Sequence, residues 1–326
     1  MDRLGFIYRT DTHVSDRSPA SWKGDYPAEI WSNLEQIGRL ARDHDAVAVL
    51  DGGDYIHDKS ASRNSHALVV KSARVHRDYS CPTFATIGNH DVKYNNLATL
   101  NEQPLGVLFT SGVFCPLQEQ VFRCGDLTVR VVGFPYSPFR TVADIKACKK
   151  KPGDTYLIAV IHALAAEEPP KAVEDFFGEP VFRYADLIEQ DGPDLFCFGH
   201  WHKDQGVVVI EGRQFVNLGA VSRGALIREN TQRTPKVALI EATKEYLRVL
   251  QLPLDVAPAE DVFDFDRKER QETEETNIEE FVQILQSNAT FNPDVSIEDN
   301  LNALTVAVEI RDLARDYLDR ARAEVG

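Results

Sequence analysis

Cysteine is scarce, and the few present cannot pair into a framework. The five cysteines, Cys81, Cys115, Cys124, Cys148 and Cys197, are odd in number and scattered, with no C-x-x-C pair among them. That spacing argues against a disulfide scaffold and against a thiolate zinc site, and it points to a reducing compartment. Long apolar runs are missing too. No stretch approaches the roughly 18 residues of a membrane span, and charged and polar residues recur from Asp2 onward where an apolar leader would lie. A soluble, cytoplasmic protein without membrane association is expected. Positive charge is in deficit, with 36 Lys/Arg against 51 Asp/Glu and a formal net charge of −15. Binding to nucleic acid rests mostly on neutralising phosphates, so this balance at first speaks against such a partner. The deficit is local, however: residues 241–326 hold 21 Asp/Glu against 9 Lys/Arg, leaving 30 against 27 for residues 1–240. Charge therefore neither excludes DNA nor argues for it.

What is present is a set of apolar runs that end in polar residues of one chemical kind. A chain of 326 residues suits one sizeable α/β domain with an appendage. The run Thr83 to Ile87 reads as a buried strand of a parallel sheet, and it delivers Gly88-Asn89-His90-Asp91 at the end where open α/β sheets bind ligands. Gly88 permits a sharp turn, and Asn89 offers a neutral oxygen ligand. His90 beside Asp91 makes an imidazole whose tautomer a carboxylate can fix.

Four other strands end alike. Leu4 to Thr10 runs into Asp11-Thr12-His13, and residues two apart on an extended segment point the same way, so the carboxylate and imidazole can grip one cation. Pro27 opens a helix with Ile30, Leu34, Ile37, Leu40 and Ala41 at helical spacing. Ala46 to Leu50 leads into Asp51-Gly52-Gly53-Asp54, where Asp51 reads as turn chemistry and Asp54 is placed to bridge two metals. His57, three residues on, can face the same site or simply solvate the loop. Residues 64–79 read as a helix, and 94–110 as helix and loop broken by Pro104 and Gly106. From Val113 short alternating strands begin a second sheet, with a hairpin turn at Gly125-Asp126. Tyr156 to Ile161 closes on His162, and Leu195 to Phe198 delivers Gly199-His200-Trp201-His202, whose two imidazoles at i, i+2 fall on one side.

Together the strand ends supply Asp11, His13, Asp54, Asn89, His162, His200 and His202, seven oxygen and nitrogen ligands with no sulfur. That is more than one cation needs, and it suits two ions about 3.5–4 Å apart. The ordered set D-x-H, G-D, G-N-H-D, a strand-ending H and G-H-x-H across residues 11–202 resembles the calcineurin-like metallophosphoesterase superfamily. The resemblance implies a four-layer αββα sandwich of two mixed β-sheets. It implies one metal held by Asp11, His13, Asp54 and His202, and another held by Asp54, Asn89, His162 and His200. It also implies that His90 contacts or protonates the leaving phosphoester and that Asp91 orients it. Metal-assisted phosphodiester hydrolysis is the activity expected, with two divalent ions, Mn²⁺ foremost and Fe or Zn also suited to the ligand types.

A narrower resemblance is to the SbcD-type double-strand-break repair nucleases of bacteria and phages. Gly53-Asp54-Tyr55-Ile56-His57 is similar to their G-D-hydrophobic-hydrophobic-His, which implies a phosphate contact for His57. Asn217 to Val221 with Pro235 to Ile240 resembles their late strand region. A DNA exo/endonuclease of repair or recombination is thus expected, the alternative being a phosphodiesterase or phosphatase for nucleotides or other small phosphoesters. The catalytic domain is expected over 1–253, an acidic linker over 254–277, and two amphipathic helices over 278–326. Ile278, Phe281, Val282 and Leu285, then Val306, Ile310, Leu313 and Tyr317, form their apolar stripes. Those helices are expected to fold back, to pair in a homodimer or, as the resemblance implies, to grip an SMC-like, SbcC-type ATPase.

Overall fold

Along the first strand, β1 (Leu4–Arg9), Leu4, Phe6 and Tyr8 point into one apolar layer while Ile7 points into another. This period-two alternation, repeated in neighbouring strands, separates the core into layers. The computed structural model describes residues 2–266, and one compact unit spans Met1–Phe263.

After β1 come α1 (Tyr26–Asp43), β2 (Ala46–Asp51), α2 (His66–Arg77), β3 (Thr83–Ala85), α3 (Pro104–Thr110) and β4 (Phe114–Pro116). The chain continues through β5 (Glu119–Cys124), β6 (Leu127–Phe134), α4 (Val142–Lys146), β7 (Tyr156–His162), β8 (Ala165–Ala166), α5 (Lys171–Phe177) and β9 (Phe182–Arg183). Then follow β10 (Leu195–Gly199), β11 (Asp204–Ile210), β12 (Arg213–Leu218), α6 (Arg228–Gln232), β13 (Lys236–Ala242), β14 (Leu247–Pro253) and α7 (Ala259–Val262).

One six-stranded sheet has the order β14-β13-β1-β2-β3-β4, with β1 to β4 parallel and β13 antiparallel to both its neighbours. The other has the order β11-β12-β10-β7-β6-β5, parallel in its four inner strands and antiparallel at both edges. Phe6, Leu50 and Ile240 of the first sheet meet Val131, Val160 and Val216 of the second in a fully buried layer. On the outer face of the first sheet, Ile30, Leu34, Ile37 and Ala41 of α1 pack over Ile7 and Val49. On the far face of the second, Ile145 of α4 packs with Ile161, Phe196 and Phe215. The result is a four-layer αββα sandwich of two mixed sheets. Helix α1 starts where Asp25 accepts a hydrogen bond from Ala28 N at 3.0 Å, and Pro27 sits in its first turn. Truncating its fully buried Leu34 to Ala would cost about 2–5 kcal/mol.

Three local expectations change. Pro104 opens α3 and does not break it, since the first turn has no use for an N–H there, and Gly106 lies inside the helix because a Cβ would meet the Leu100 carbonyl oxygen at 2.1 Å. Strand β4 joins the first sheet, so the second sheet starts at β5 and not at Val113. The unit also runs past residue 253, because Leu254, Val262 and Phe263 are buried in the helix-covered layer and Trp22 bridges to Phe263. The rest of the expected linker from residue 267 and the helices expected over 278–326 lie outside the described residues, together with the homodimer and ATPase contacts assigned to them. Among the described residues no helix is long and apolar enough to cross a membrane.

Candidate metal centre

Strands β1, β2 and β3 are parallel, as are β7 and β10, and all five deliver polar residues at their carboxyl ends. Asp11 and His13 follow β1, Asp54 follows β2, Asn89 follows β3, His162 ends β7, and His200 and His202 follow β10. At four of these seven the backbone is not extended. Asp11, His13, Asp54 and His200 have φ of 52°, 49°, 53° and 87°, a left-handed region that costs a non-glycine residue on the order of 1–3 kcal/mol. The first two loops brace each other against that strain: Asp11 N donates to Gly53 O and His13 N to Asp54 O, both at 3.0 Å. Asp11 and His13 therefore converge through two turned residues and not through strand alternation.

Two clusters result. In the first, one ligating atom each from Asp11, His13, Asp54 and His202 lie within 4.8 Å of one another. His13 Nε2 faces His202 Nε2 at 2.9 Å, and His202 Nε2 is 3.4 Å from Asp11 Oδ1. In the second, Asp54, His162 and His200 meet the same limit, with Asn89 beside them. Asp54 Oδ2 belongs to both, at 3.8 Å from His13 Nε2 and 3.4 Å from His162 Nε2. His200 and His202, expected on one side, serve different clusters. Two glycines make room for this crowding: a Cβ on Gly88 would lie 2.0 Å from Asp54 Oδ1, and one on Gly199 2.2 Å from Thr10 Oγ1.

The donor atoms present the chemistry a cation requires. His162 donates from Nδ1 to Gly52 O at 2.7 Å, which leaves its Nε2 lone pair facing the cluster. His200 turns Nε2 towards Glu179 Oε2 at 3.4 Å and Nδ1 inward, and Glu179 also accepts the Tyr136 hydroxyl. The Asn89 oxygen lies 3.2 Å from Asp54 Oδ2, 3.3 Å from His162 Nε2 and 3.1 Å from His200 Nδ1. With both imidazoles neutral, four lone-pair atoms converge here, an arrangement that a cation among them would stabilise. Without a cation the amide gains by turning its NH₂ inward. Asp11 is held ready by Thr10 Oγ1 at 2.6 Å and by the His200 N–H at 3.0 Å.

The electrostatics agree with that reading. Burial pushes the Asp11 carboxyl up, but the hydrogen bond and charge of His202 override it and bring the pKa down to about 2. Burial likewise opposes ionisation of Asp54, yet the facing His162 holds it well below the usual carboxylate range. Burial would lower His162, and the charge of Asp54 instead raises it to about 9. Two buried carboxylates that stay ionised call for positive charge, and divalent cations supply more of it than protonated histidines do.

The role expected of Asp91, orienting His90, needs correction. Asp91 does not orient the His90 ring: its carboxylate accepts the backbone N–H groups of Asp54 at 2.9 Å, Gly88 at 2.8 Å and Ile56 at 3.0 Å. It is a tie between two ligand-bearing loops. Burial and the adjacent Asp54 charge push its pKa up to about 8. His90 instead donates from Nδ1 to the His57 carbonyl at 2.6 Å. The His57 ring is exposed and stacks 5.9 Å from that of His90, and His13, His57 and His90 form a third close group. Asp51, expected as turn chemistry, does accept from Gly53 N at 3.0 Å, but it also forms a fully buried ion pair with Arg9 at 2.8 Å. Glu179 and Lys59, which lies 3.1 Å from the Asn89 amide, do not sit at the end of an apolar run, and Tyr136, two residues after β6, has no ligand chemistry to mark it.

The family model described as calcineurin-like phosphoesterase matches residues 7–204. No curated protein sequence matches the chain. Among solved structures, one described as a novel archaeal phosphodiesterase is 12 % identical with a TM-score of 0.37, over 76 % of this chain and 100 % of that one. The calcineurin-like phosphoesterase YfkN from Bacillus subtilis is 13 % identical with a TM-score of 0.45, over 81 % and 93 %. The Thermus thermophilus sulfate thiohydrolase SoxB is 15 % identical with a TM-score of 0.44, over 79 % of this chain and 58 % of that one. The matched segment runs from β1 through His202 and so contains every strand end of the two clusters, and the chain belongs to the calcineurin-like phosphoesterases, a family of dinuclear-metal-dependent hydrolases.

Proposed function

We propose that this protein is a two-metal phosphodiesterase whose substrate is DNA, with Mn²⁺ as the working ion. The observation that carries the two-metal reading is the single Asp54 oxygen that faces a nitrogen ligand on each side, His13 and His162. Ions held by these residues supply a water activated near neutral pH and positive charge for the phosphoryl oxygens. An all-oxygen and nitrogen ligand set suits Mn²⁺.

The chain's own residues do the rest. His90 stands at the junction of two grooves, one of about 790 Å³ and one of about 340 Å³, both of which also reach His202. A diester with substituents on both sides of phosphorus fits such a double groove better than a monoester does. Lys59 and Lys203 line the larger groove and Arg17 the smaller, giving a backbone of phosphates partners on either side. With its Nδ1 hydrogen held by the His57 carbonyl, His90 in its imidazolium form gives the Nε2 proton to the leaving oxygen and is left as the neutral Nδ1–H tautomer. The exposed His57 ring beside it supports a phosphate contact. Asn217, in the late region similar to repair nucleases, donates to the Trp201 carbonyl at 3.2 Å and so steadies the loop that carries His200 and His202.

A second reading, hydrolysis of small nucleotide or other phosphodiesters, is favoured by the net charge of −15. The experiment that separates them is Mn²⁺-dependent degradation of end-labelled linear duplex and single-stranded DNA beside bis-p-nitrophenyl phosphate. Degradation of DNA supports the nuclease. Turnover of the small diester alone overturns it in favour of the second reading.

A further inference from the structure

The larger groove is lined by two unlike sets of side chains, the candidate metal ligands Asn89, His200 and His202 and the aromatic rings of Phe176, Phe177 and Trp201. The wall is continuous with the centre: the Phe177 ring is 5.6 Å from that of His200, and Phe176 stands edge-on to Phe177 at 5.1 Å. Helix α5, which carries both phenylalanines, ends at Gly178 in the left-handed conformation, and the chain turns back there to bring Glu179 against His200. The position of Phe176 is thus tied to that of a metal ligand.

Two features of this wall need a reason. Phe176 is 82 % exposed, an unfavourable place for a phenyl ring unless something covers it in use. Lys203 Nζ lies 5.7 Å from the centre of the Trp201 ring, and Lys59 Nζ lies 3.1 Å from the Asn89 amide, so positive groups line the same groove as the rings in a chain that is acidic overall. The same groove carries the polar side chains of Asn95, Tyr136 and Glu179, which suit the sugar that joins a base to its phosphate, and a few aliphatic ones, Ala172, Val173 and Ile227. Flat rings next to cations, one step from a phosphoryl site, match an aromatic base joined to a phosphate.

We propose that Phe176, edge-on to Phe177 in the groove that Trp201 also lines, is a stacking platform for a nucleobase of the substrate, so that the enzyme selects nucleoside phosphodiesters over diesters that carry no base. This rests on the phosphodiesterase reading above and narrows it to a substrate class. Stacking on a ring face tolerates every base, so the selection is for a nucleotide and not for a sequence.

The test uses the full chain with Mn²⁺, and Phe176→Leu, which keeps the apolar volume and removes the ring, beside Phe176→Ala. The substrates are thymidylyl-thymidine and methyl p-nitrophenyl phosphate, the second having no base. The expected result is a fall of about tenfold in the kcat/KM ratio of the base-carrying over the base-free diester in both variants, lodged in KM and not in kcat. A second measurement needs no turnover: a phosphorothioate-linked dinucleotide with 2-aminopurine loses fluorescence on binding to the wild-type chain and keeps it with Phe176→Leu. An unchanged ratio together with unchanged quenching overturns the platform and leaves the phosphodiesterase reading standing. Turnover of neither diester by the wild-type chain overturns that reading instead, and the quenching experiment then judges the platform alone.

Discussion

The His90 imidazole donates its Nδ1 hydrogen to the main-chain carbonyl of His57 at 2.6 Å. A backbone atom thus fixes the tautomer that was expected to be fixed by the neighbouring carboxylate. His90 itself lies outside the two ligand clusters that contain Asp54. His90→Asn is expected to lower kcat for a small diester by about 10²–10⁴ while bound metal per chain stays the same. Metal analysis and steady-state kinetics on one preparation check this, and a loss of metal in parallel with activity would place His90 among the ligands.

Asp91 gives the opposite pattern. Its carboxylate satisfies three buried N–H groups, and leaving a buried donor without a partner costs about 1–3 kcal/mol each. Asp91→Ala is expected to lower unfolding stability by at least about 3 kcal/mol and to weaken metal binding, because the Asp54 and Gly88 loops lose their common tie. Denaturant unfolding and metal titration measure both. A variant as stable as the wild type but slow in turnover would restore the orienting role that the geometry denies.

Glu179 acts on the second cluster through His200. Its carboxylate lies 3.4 Å from His200 Nε2, near enough for its charge to favour a proton on that nitrogen and a lone pair on the inward Nδ1. Glu179→Gln is expected to weaken the affinity of that cluster by about 10- to 100-fold and to leave the other cluster near its wild-type value. Competition with a chromophoric chelator resolves the two affinities, and equal weakening of both would show a general loss of structure.

A pH effect on stability follows from His76, away from the metals. Its Nδ1 hydrogen bonds to Ser72 O and its Nε2 accepts from Arg9 Nη2, both at 2.8 Å. Burial and the Arg9 charge hold its pKa well below the ordinary 6.5. The folded-state value is depressed, so below about pH 6.5 the unfolded chain takes up a proton that the folded chain refuses. Stability from this group is complete above pH 6.5 and falls by up to about 1.4 kcal/mol per pH unit as the pH drops towards the folded value. The difference in unfolding free energy between wild type and His76→Gln should shrink as the pH is lowered from 7 to 5. A difference that does not vary with pH would mean that His76 stays charged when buried.

Much of this was readable because the fold places ligands at strand ends, where an apolar run makes the following polar residue conspicuous. Asp11, Asp54, Asn89, His162 and His200 stand out that way as candidate ligands, and the alternation along Leu4 to Tyr8 announces the layered core. What stayed hidden is three-dimensional. Nothing local in Asn89-His90-Asp91 says that Asp91 turns inward to hold the Asp54 and Ile56 amides, since that needs the second loop in place. The left-handed backbone at Asp11 and His13 is imposed by pairing with Gly53 and Asp54 and not by the identity of either residue. Glu179 follows a short helix and Gly178, a setting that reads as an ordinary turn.

The two clusters differ in how far water reaches them. The second is the more enclosed, with His162 and His200 side chains 0 % and 6 % exposed, whereas His202 in the first is 45 % exposed. A chelator in solution would meet an ion at His202 directly, but one at His162 and His200 only from the floor of the groove that Asn89 and Glu179 line. The two ions should therefore leave at different rates, in two separable kinetic phases under excess chelator, with the solvent-facing ion first. Preparations exposed briefly to chelator would then be mixed-occupancy enzymes, inactive yet still carrying one ion, and a short incubation with Mn²⁺ would bring back full turnover without refolding.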